Sequence, residues 1–521
     1  MPKSKQASRR FRAIGTIRRT CRPHPRTQLH PVRAPIEKFA PPMSGKETPK
    51  GGVIRFLIDN SLLLVIGASA ALIWANLADR SGSSSYEDFV HYDVRQLWGG
   101  GESHPAESHG GAENHGDEAS PAEISADETG PDEQGQAASP TGTPPVSSEG
   151  GEPSHAGPAD AAHAQTEHHW YQVMFLVNDL LMAFFFAIAA KEVWESLLPG
   201  GPLSNPRKAA TPLLATLGGI LGPTVFYLGG AYVTGTSAEL GRGWAVPCAT
   251  DIAFSYLVAR FIFGPGHPAI AFLLLLAIAD DAAGLIILAV FYPSAPIEPI
   301  WFLLTAAAMA LAYVLGKFRV HSHWFYVLGP GALCWFSFYQ AHLHPALGLV
   351  PIIPFLPSAT SDLGIFAREE LNRHDTLNEF EHFWKTPVEL ILGLFGLVNA
   401  GVVLSSLGTG TWLVLVGLLV GKPLGITLMT LLAEKGFRLQ KPVGMDYRHV
   451  FTLAMIAGIG FTVALFVSVA AFRSPGAVRD SVKMGALLSF VAGPVAFLIA
   501  KMLSIKPGEL AQHDSETDSD N

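Results

Sequence analysis

The amino-acid sequence predicts an all-α polytopic membrane protein with about twelve transmembrane helices. Of its 521 residues, 49% are hydrophobic and only 15% are charged, whereas a soluble protein carries charge on about a quarter of its residues. The hydrophobic residues also fall into blocks of about 18 to 25, the length that crosses a hydrocarbon core as a helix. A single soluble core cannot use so many segments that are apolar on every side.

The hydrophobic blocks predict twelve spans and divide the chain into five parts. We predict the spans at residues 54–76, 170–190, 209–234, 244–264, 268–292, 299–317, 324–340, 344–357, 386–405, 411–434, 450–472 and 482–503. The parts are a basic N-terminal extension (1–50), a first transmembrane helix (51–80), a low-complexity insert (81–169), a transmembrane core (170–505) and an acidic cytoplasmic tail (506–521).

The extension is basic and has no acidic residue before Glu37. Such a stretch is typical of a targeting segment, of a disordered cytoplasmic arm, or of an upstream start codon with Met43 as the true start. Its charge places the N-terminus in the cytoplasm, and twelve spans return the C-terminus to the same side. With this orientation the inner segments carry 15 lysines and arginines and the outer segments six, the bias that membrane proteins follow.

The insert between the first two spans is rich in Gly, Ser, Pro and Ala, and its acidic residues far outnumber its one basic residue, Arg95. It cannot bury enough apolar surface to fold, so we predict a solvated periplasmic linker. It also holds eight histidines without a repeated metal-ligand spacing. Metal capture and a pH-dependent change of charge therefore remain alternatives to a plain linker.

Ionisable residues within a span are costly and usually mark a pathway or a site. Five of them stand out because each lies in an otherwise apolar stretch: Asp179, Asp251, Asp280, Asp281 and Lys422. A lone acid often only holds helices together, but two adjacent acids in mid-span favour a functional site. Their side chains point about 100° apart on a helix, so both can serve one cavity while contacting different partners.

The adjacent carboxylates suit exchange of a cation for protons. Two like charges in a poorly solvated site raise each other's proton affinity. Carboxylate oxygens also bind hard cations such as Na⁺, and no thiolate or histidine cluster competes for a soft metal. Because protons and cations compete for the same oxygens, the pair meets the minimum requirement for exchange across a membrane.

Two spans carry signals for a broken helix. The fourth contains a proline and polar residues at 247–251, and the eleventh contains two glycines at 458–462. Interruptions in corresponding positions of two halves are typical of transporters with inverted-topology repeats and a site at the midplane. We expect Asp251 and Lys422 to offset the dipoles of the exposed helix ends. Thr250 can lend a hydroxyl to the cation.

Several strings around these residues occur together and are specific. They are GWAVPCATDIAF (243–254), AIADD (277–281), NAG (399–401), GKPLG (421–425) and GIGFT (458–462). In these strings the sequence resembles the NhaA family of bacterial Na⁺/H⁺ antiporters, from about residue 54 to 503 without the insert. The resemblance implies twelve helices, the fourth and eleventh of them broken and crossing, in a bacterial inner (plasma) membrane. It also implies electrogenic exchange of Na⁺ or Li⁺ for H⁺, activation at alkaline pH, and a homodimer.

The resemblance assigns a role to each polar residue of the spans. Asp281 would be the principal cation ligand with Thr250 nearby, and Asp280 would bind a proton and pair with Lys422. Asp179 would line the ion path. The candidates for cation and proton binding are then Asp280, Asp281, Thr250 and Asp251.

The sequence departs from the family at the places that concern regulation and assembly. A charged cluster linked to pH control, often LEVKRE, is replaced by KEVWES at 191–196, which keeps Glu192 and loses the basic pair. Glu192 is therefore the candidate for pH control. The long insert falls where the family places the periplasmic hairpin that joins two protomers.

Two other functions are alternatives to the antiporter. A sodium-coupled symporter of an organic solute would need a larger cavity with further polar or aromatic residues. A non-transporting sensor would use the histidine-rich insert to detect metal or pH, and would not need the paired acids of the fifth span. No catalytic triad, phosphate loop or metal-hydrolase motif is found in the sequence, so we predict neither an enzyme nor a cofactor.

Overall fold

The computed structural model describes residues 62–98, 171–358, 375–439, 442 and 444–508. The predicted basic extension, most of the insert and most of the acidic tail lie outside these residues. Within them the chain forms helices and no strand, and an isolated bridge joins Asp93 to Gln172. The described part of the chain is therefore all-α.

The helices are numbered here in chain order. They are α1 (Leu62–Ser81), α2 (Ser85–Val90), α3 (Val173–Leu197), α4 (Pro206–Val233), α5 (Ser237–Cys248), α6 (Ile252–Phe263), α7 (Pro268–Phe291), α8 (Pro299–Lys317), α9 (residues 323–340), α10 (Pro345–Phe355), α11 (Thr376–Asn399), α12 (Thr409–Lys435), α13 (Tyr447–Ile456), α14 (Phe461–Ala471) and α15 (Ala477–Met502).

Among the described residues, seven helices are long and apolar enough to cross a membrane. The number rises to nine if each of two bent pairs counts as one span: α5 with α6, bent by 54°, and α13 with α14, bent by 52°. The shorter helix α10 is also apolar. This part of the chain is a multi-pass helical bundle, as the composition predicted.

The two bends lie against each other in the interior. The backbone N–H of Asp251, in the link between α5 and α6, donates a hydrogen bond of 2.7 Å to the carbonyl oxygen of Ile459, in the link between α13 and α14. A Cβ added at Gly460 would lie 2.6 Å from the carbonyl oxygen of Ala249, so only glycine permits this approach. Each link thus satisfies polar backbone groups of the other, which non-helical chain at membrane depth requires.

Helices α4 and α12 also approach closely, along a line of glycines. A Cβ at Gly218 would lie 2.2 Å from the carbonyl oxygen of Gly425, and one at Gly222 would lie 2.2 Å from that of Gly421. Small residues allow helices in a membrane to pack backbone against backbone. Because Lys422 directly follows Gly421, this contact holds the lysine in the interior, where its side chain is completely buried.

The beginning of the predicted insert is folded, which corrects its boundary. Tyr86 of α2 is only 7% exposed, and its hydroxyl oxygen lies 2.9 Å from the carbonyl oxygen of Val398. The same hydroxyl accepts a hydrogen bond of 3.0 Å from the N–H of Gly401. Low-complexity sequence on both sides of α2 concealed these contacts, because average composition does not register one buried aromatic residue.

The two ends of the remaining insert are clamped together. Asp93 pairs with Gln172 through the isolated bridge, and Arg95 forms a salt bridge of 2.6 Å with Asp93. The guanidinium carbon of Arg95 also lies 4.2 Å from the centre of the Tyr171 ring. Residues 91–98 of the insert therefore contact residues 171–172 at the beginning of the core, and residues 99–169 of the insert lie outside the described residues.

Candidate functional site

Lys422 is the centre of a group of buried polar atoms. Its Nζ donates to the carbonyl oxygens of Cys248 (2.5 Å) and Ala249 (2.7 Å), and to the hydroxyl of Thr250 (2.7 Å). It also forms an ion pair of 2.9 Å with Asp280 Oδ2. The two carbonyl groups lie at the C-terminal end of α5, where a positive charge is favourable. The lysine thus neutralises both a carboxylate and a helix end.

Asp251 supplies the opposite charge at two helix N-termini. Its carboxylate accepts hydrogen bonds from the N–H of Phe254 in α6 (3.4 Å) and from the N–H of Thr462 in α14 (3.3 Å). The Thr462 hydroxyl also donates to it. A buried carboxylate facing two N-termini is stabilised by both dipoles. Thr462 had no assigned role in the sequence, although it ends the GIGFT string.

The adjacent acids on α7 have different surroundings. Asp280 accepts a hydrogen bond of 2.7 Å from the Thr250 hydroxyl in addition to its ion pair with Lys422. Its second oxygen, Oδ1, is buried and has no hydrogen-bond partner in the part of the chain that the structure describes. Asp281 is partly exposed, and its side chain makes no hydrogen bond or ion pair with any described residue. The Thr250 hydroxyl, expected near Asp281, contacts Asp280.

Asp280 and Asp281 line one cavity together with Cys248. Most of the remaining wall is apolar and comes from Ile220, Ala245, Ala249, Gly284, Ile287, Val463 and Val467. Carboxylate oxygens are ligands for hard cations, and a low-polarity wall favours neutralising the charge with either a proton or a cation. Among the described residues, no group of three or more His, Cys, Asp and Glu could hold a metal ion.

Asp179 is not in contact with this pair. It lies in a widened turn of α3, Leu176–Leu181, a geometry that is frequent at functional sites. Its carboxylate lies 3.7 Å from His344 Nδ1, and its backbone carbonyl accepts a hydrogen bond of 2.8 Å from the indole of Trp335. The preceding residue, Asn178, exchanges two side-chain hydrogen bonds, of 3.1 and 2.7 Å, with Asn399 of α11. The NAG string therefore anchors the turn that carries Asp179.

Glu192 lies in a charged cluster at the end of α3, but its side chain forms no hydrogen bond or ion pair with a described residue. The connected residue is its neighbour Lys191, which is only 3% exposed. Lys191 forms a salt bridge of 2.7 Å with Glu195 and a second one with Glu381 of α11. The spacing of Lys191 and Glu195 along one helix face was the signal that could have identified this cluster.

The chain is similar to known transport proteins over most of the described helices. The family described as Na+/H+ antiporter 1 matches residues 158–500. The Na(+)/H(+) antiporter NhaA of Jannaschia sp. (strain CCS1) is 50% identical over 379 residues, which are 68% of this chain and 90% of that protein. Its counterparts in Geotalea uraniireducens (strain Rf4) and Desulfitobacterium hafniense (strain DSM 10664 / DCB-2) are 52% and 51% identical over 335 and 336 residues. Each of these matches covers 64% of this chain, and 86% and 85% of the relatives respectively.

Proposed function

The chain belongs to the Na+/H+ antiporter 1 family, and we propose that it exchanges Na⁺ for H⁺ at the cavity lined by Asp280 and Asp281. The observation that supports this location for the ion site is that the Asp281 carboxylate has no bonding partner among the described residues. This carboxylate lines the cavity without a hydrogen bond or ion pair to a described residue, while its neighbour is held by Lys422. Asp281 is therefore the carboxylate that is available to a cation, and we assign it as the principal ligand.

Exchange follows from competition for the same oxygens. A cation that binds Asp281 neutralises the charge that a proton would otherwise neutralise, so the two are not bound together. The unbonded Oδ1 of Asp280 and the nearby Thr250 hydroxyl supply further oxygen atoms at the same wall. When the cation leaves on the other side of the membrane, the carboxylates take up protons.

We propose that the exchange is electrogenic because two carboxylates can be discharged by two protons but only one monovalent cation is bound. Asp280 is the second proton carrier. Its release from Lys422 on protonation leaves the lysine held by the carbonyl groups of Cys248 and Ala249. Li⁺ carries the same charge and prefers oxygen ligands, so the proposal includes Li⁺ as a substrate.

The access path is proposed to follow the two bends. We infer that α5 with α6, and α13 with α14, are each one broken span, and that they cross in a bundle of about twelve spans with inverted-topology repeats. The bends of 54° and 52° and the hydrogen bond between their links support this reading. Asp251 and Lys422 then compensate the dipoles of the helix ends, and Asp179 lines the path by which the ion reaches the cavity. Both termini are proposed to lie in the cytoplasm.

Regulation and assembly are proposed from the family resemblance. The cluster of Glu192, Lys191, Glu195 and Glu381 is the candidate for pH control, because a salt bridge between Lys191 and Glu381 joins α3 to α11 there. Replacing Glu192 with Gln should then change the pH profile of exchange more than its maximal rate. A homodimer is proposed as well, and cross-linking in the native membrane tests it.

The test of the proposed function uses everted membrane vesicles with a pH gradient and a fluorescent reporter of that gradient. Adding Na⁺ or Li⁺ should collapse the gradient at alkaline pH, and adding K⁺ should not. Clamping the membrane potential with valinomycin and K⁺ should accelerate electrogenic exchange. No response to any of the ions between pH 6.5 and 9, in vesicles shown to contain the protein, would exclude the antiport.

A further inference from the structure

Cys248 presents a thiol to the cavity, and exchange as proposed makes no use of it. It is the last residue of α5 and only 5% exposed, and it lines the same cavity as Asp280 and Asp281. Its sulfur lies 3.4 Å from the hydroxyl of Thr224 and 3.6 Å from the carbonyl oxygen of Ile220. The side chain is therefore a soft ligand at the wall of a cavity that otherwise offers carboxylates.

A second observation points to a ligand at this wall. Asp280 is 4% exposed, and its Oδ1 has no hydrogen-bond partner among the described residues. A buried, unbonded carboxylate oxygen is costly unless a cation or a proton reaches it. Cys248, which carries the thiol, and Asp280, which carries the unbonded oxygen, thus line a single cavity.

We propose that Cys248 and Asp280 form a binding site for soft monovalent cations, represented by Ag⁺, inside the sodium cavity. Ag⁺ has the charge of Na⁺ and is close to it in size, so the route that admits Na⁺ admits Ag⁺. Thiolates hold soft cations much more strongly than hard ones. The inference rests on the proposed function, because it requires the cavity to admit monovalent cations.

Binding is a ligand exchange without oxidation. The S–H bond of Cys248 breaks, a sulfur–silver bond forms, and the released proton passes to the Asp281 carboxylate or to water. Thiolate is the form that binds metal, so silver drives the deprotonation. The thiolate balances the charge of the bound ion, so Asp280 keeps its ion pair with Lys422 and contributes only its Oδ1 as a second ligand. A cation held in this way occupies the cavity, and exchange stops.

The experiment uses the purified full-length chain in liposomes, in chloride-free buffer, with silver nitrate as the probe. Cys248→Ala is compared with Cys334→Ala, because Cys334 is a completely buried thiol in α9 that does not line the cavity. Both variants carry Cys21→Ala, as does the parent protein. Silver should abolish exchange in the parent and in Cys334→Ala, and Cys248→Ala should keep its own uninhibited rate. Saturating Na⁺ before silver should protect the parent.

A second readout is independent of transport. Silver-treated protein is unfolded, alkylated with N-ethylmaleimide and analysed by peptide mass, and Cys248 should be protected in the parent but not after preincubation with Na⁺. Equal inhibition of Cys248→Ala, or labelling of Cys248 that Na⁺ does not alter, would overturn the proposal. Exchange measured without silver reports the antiport itself, so the two proposals fail separately. Cys248→Ser carries the same prediction should the alanine variant not fold.

Discussion

Asp280 and Asp281 are adjacent on α7, yet their carboxylates differ in their bonding partners. Asp280 lies on the side of the site that faces Lys422, and Asp281 lies on the side that faces the cavity. On the Lys422 side, the carboxylate of Asp280 has an ion pair of 2.9 Å and a hydrogen bond of 2.7 Å from Thr250. On the cavity side, Asp281 has neither kind of contact with a described residue. One charge is fixed by the protein, and the other is available to an ion.

The difference explains how one site can be both stable and exchangeable. Lys422 keeps three acceptors besides Asp280, two of them carbonyl groups at the end of α5. The lysine is therefore held whether or not Asp280 is ionised. We propose that the Lys422 side provides the stability, that the cation binds and leaves on the Asp281 side, and that Asp280 exchanges only a proton. Substitutions on the two sides should separate these properties.

The largest effect on transport is expected for Asp281→Asn. The amide keeps the shape of the side chain but removes the negative charge for which Na⁺ and H⁺ compete, so exchange should be abolished. Because Asp281 has no partner to lose among the described residues, the melting temperature in detergent should stay close to that of the parent. Collapse of a pH gradient in everted vesicles measures the first property, and a thermal-shift assay the second.

The matched control is Asp280→Asn, which should show a lower melting temperature because it leaves Lys422 without its ion pair. If Asp281→Asn vesicles responded to Na⁺ with the affinity of the parent, the cation ligand would be misassigned. If the two variants were equally destabilised, the contrast between the two sides of the site would be wrong.

Lys422→Ala should have the largest effect on stability. Removing one partner of a buried ion pair typically costs about 3–5 kcal/mol, because the other charge is left uncompensated. Exchange should weaken, and its charge stoichiometry should change, because Asp280 would favour its neutral form. Thermal unfolding in detergent and the response of transport to a clamped potential test both statements. Unchanged melting together with unchanged electrogenicity would reject the pair.

Local sequence signals lie close to both bends, but they did not identify the contacts that the two links make. Pro247 and the glycines 458 and 460 act on their own helices, so they predicted where the chain departs from helical geometry. The bonds from Thr250 to Asp280 and from Thr462 to Asp251 join residues 30 and 211 positions apart. Such pairings depend on how whole helices pack against each other, and the sequence of one segment does not predict this packing.

A smaller loss of stability is expected for Thr462→Val, which keeps the shape of the side chain and removes the hydroxyl bound to Asp251. A hydrogen bond to a charged group contributes about 1.5–3 kcal/mol, so the variant should melt earlier while binding Na⁺ with little change. The control is Thr452→Val in α13, because the buried Thr452 hydroxyl has no partner among the described residues. That substitution should leave the melting temperature unchanged or raise it. Equal effects of the two valines would show that Asp251 does not depend on Thr462.

The smallest effect is expected from deleting residues 99–170 and joining the ends with a short Gly/Ser linker. The clamp of Asp93, Arg95 and Tyr171 stays in place in this variant, so the ends of the deletion remain close together. The removed segment is acidic and contains seven histidines. Its attraction for cations is screened within about 10 Å at 0.1 M salt, so vesicle exchange at moderate salt should match the parent.

Any difference should be confined to low ionic strength, or to assays containing Zn²⁺ or Ni²⁺, because the histidines bind such ions and change charge between about pH 5 and 8. A scrambled insert of the same composition is the control for charge alone, and it should behave as the parent in all of these conditions. Loss of exchange at about 0.15 M salt, in a deletion variant that inserts and melts normally, would show that the insert belongs to the transport machinery. Acidic residues of the insert, and not only Asp281, would then take part in the exchange.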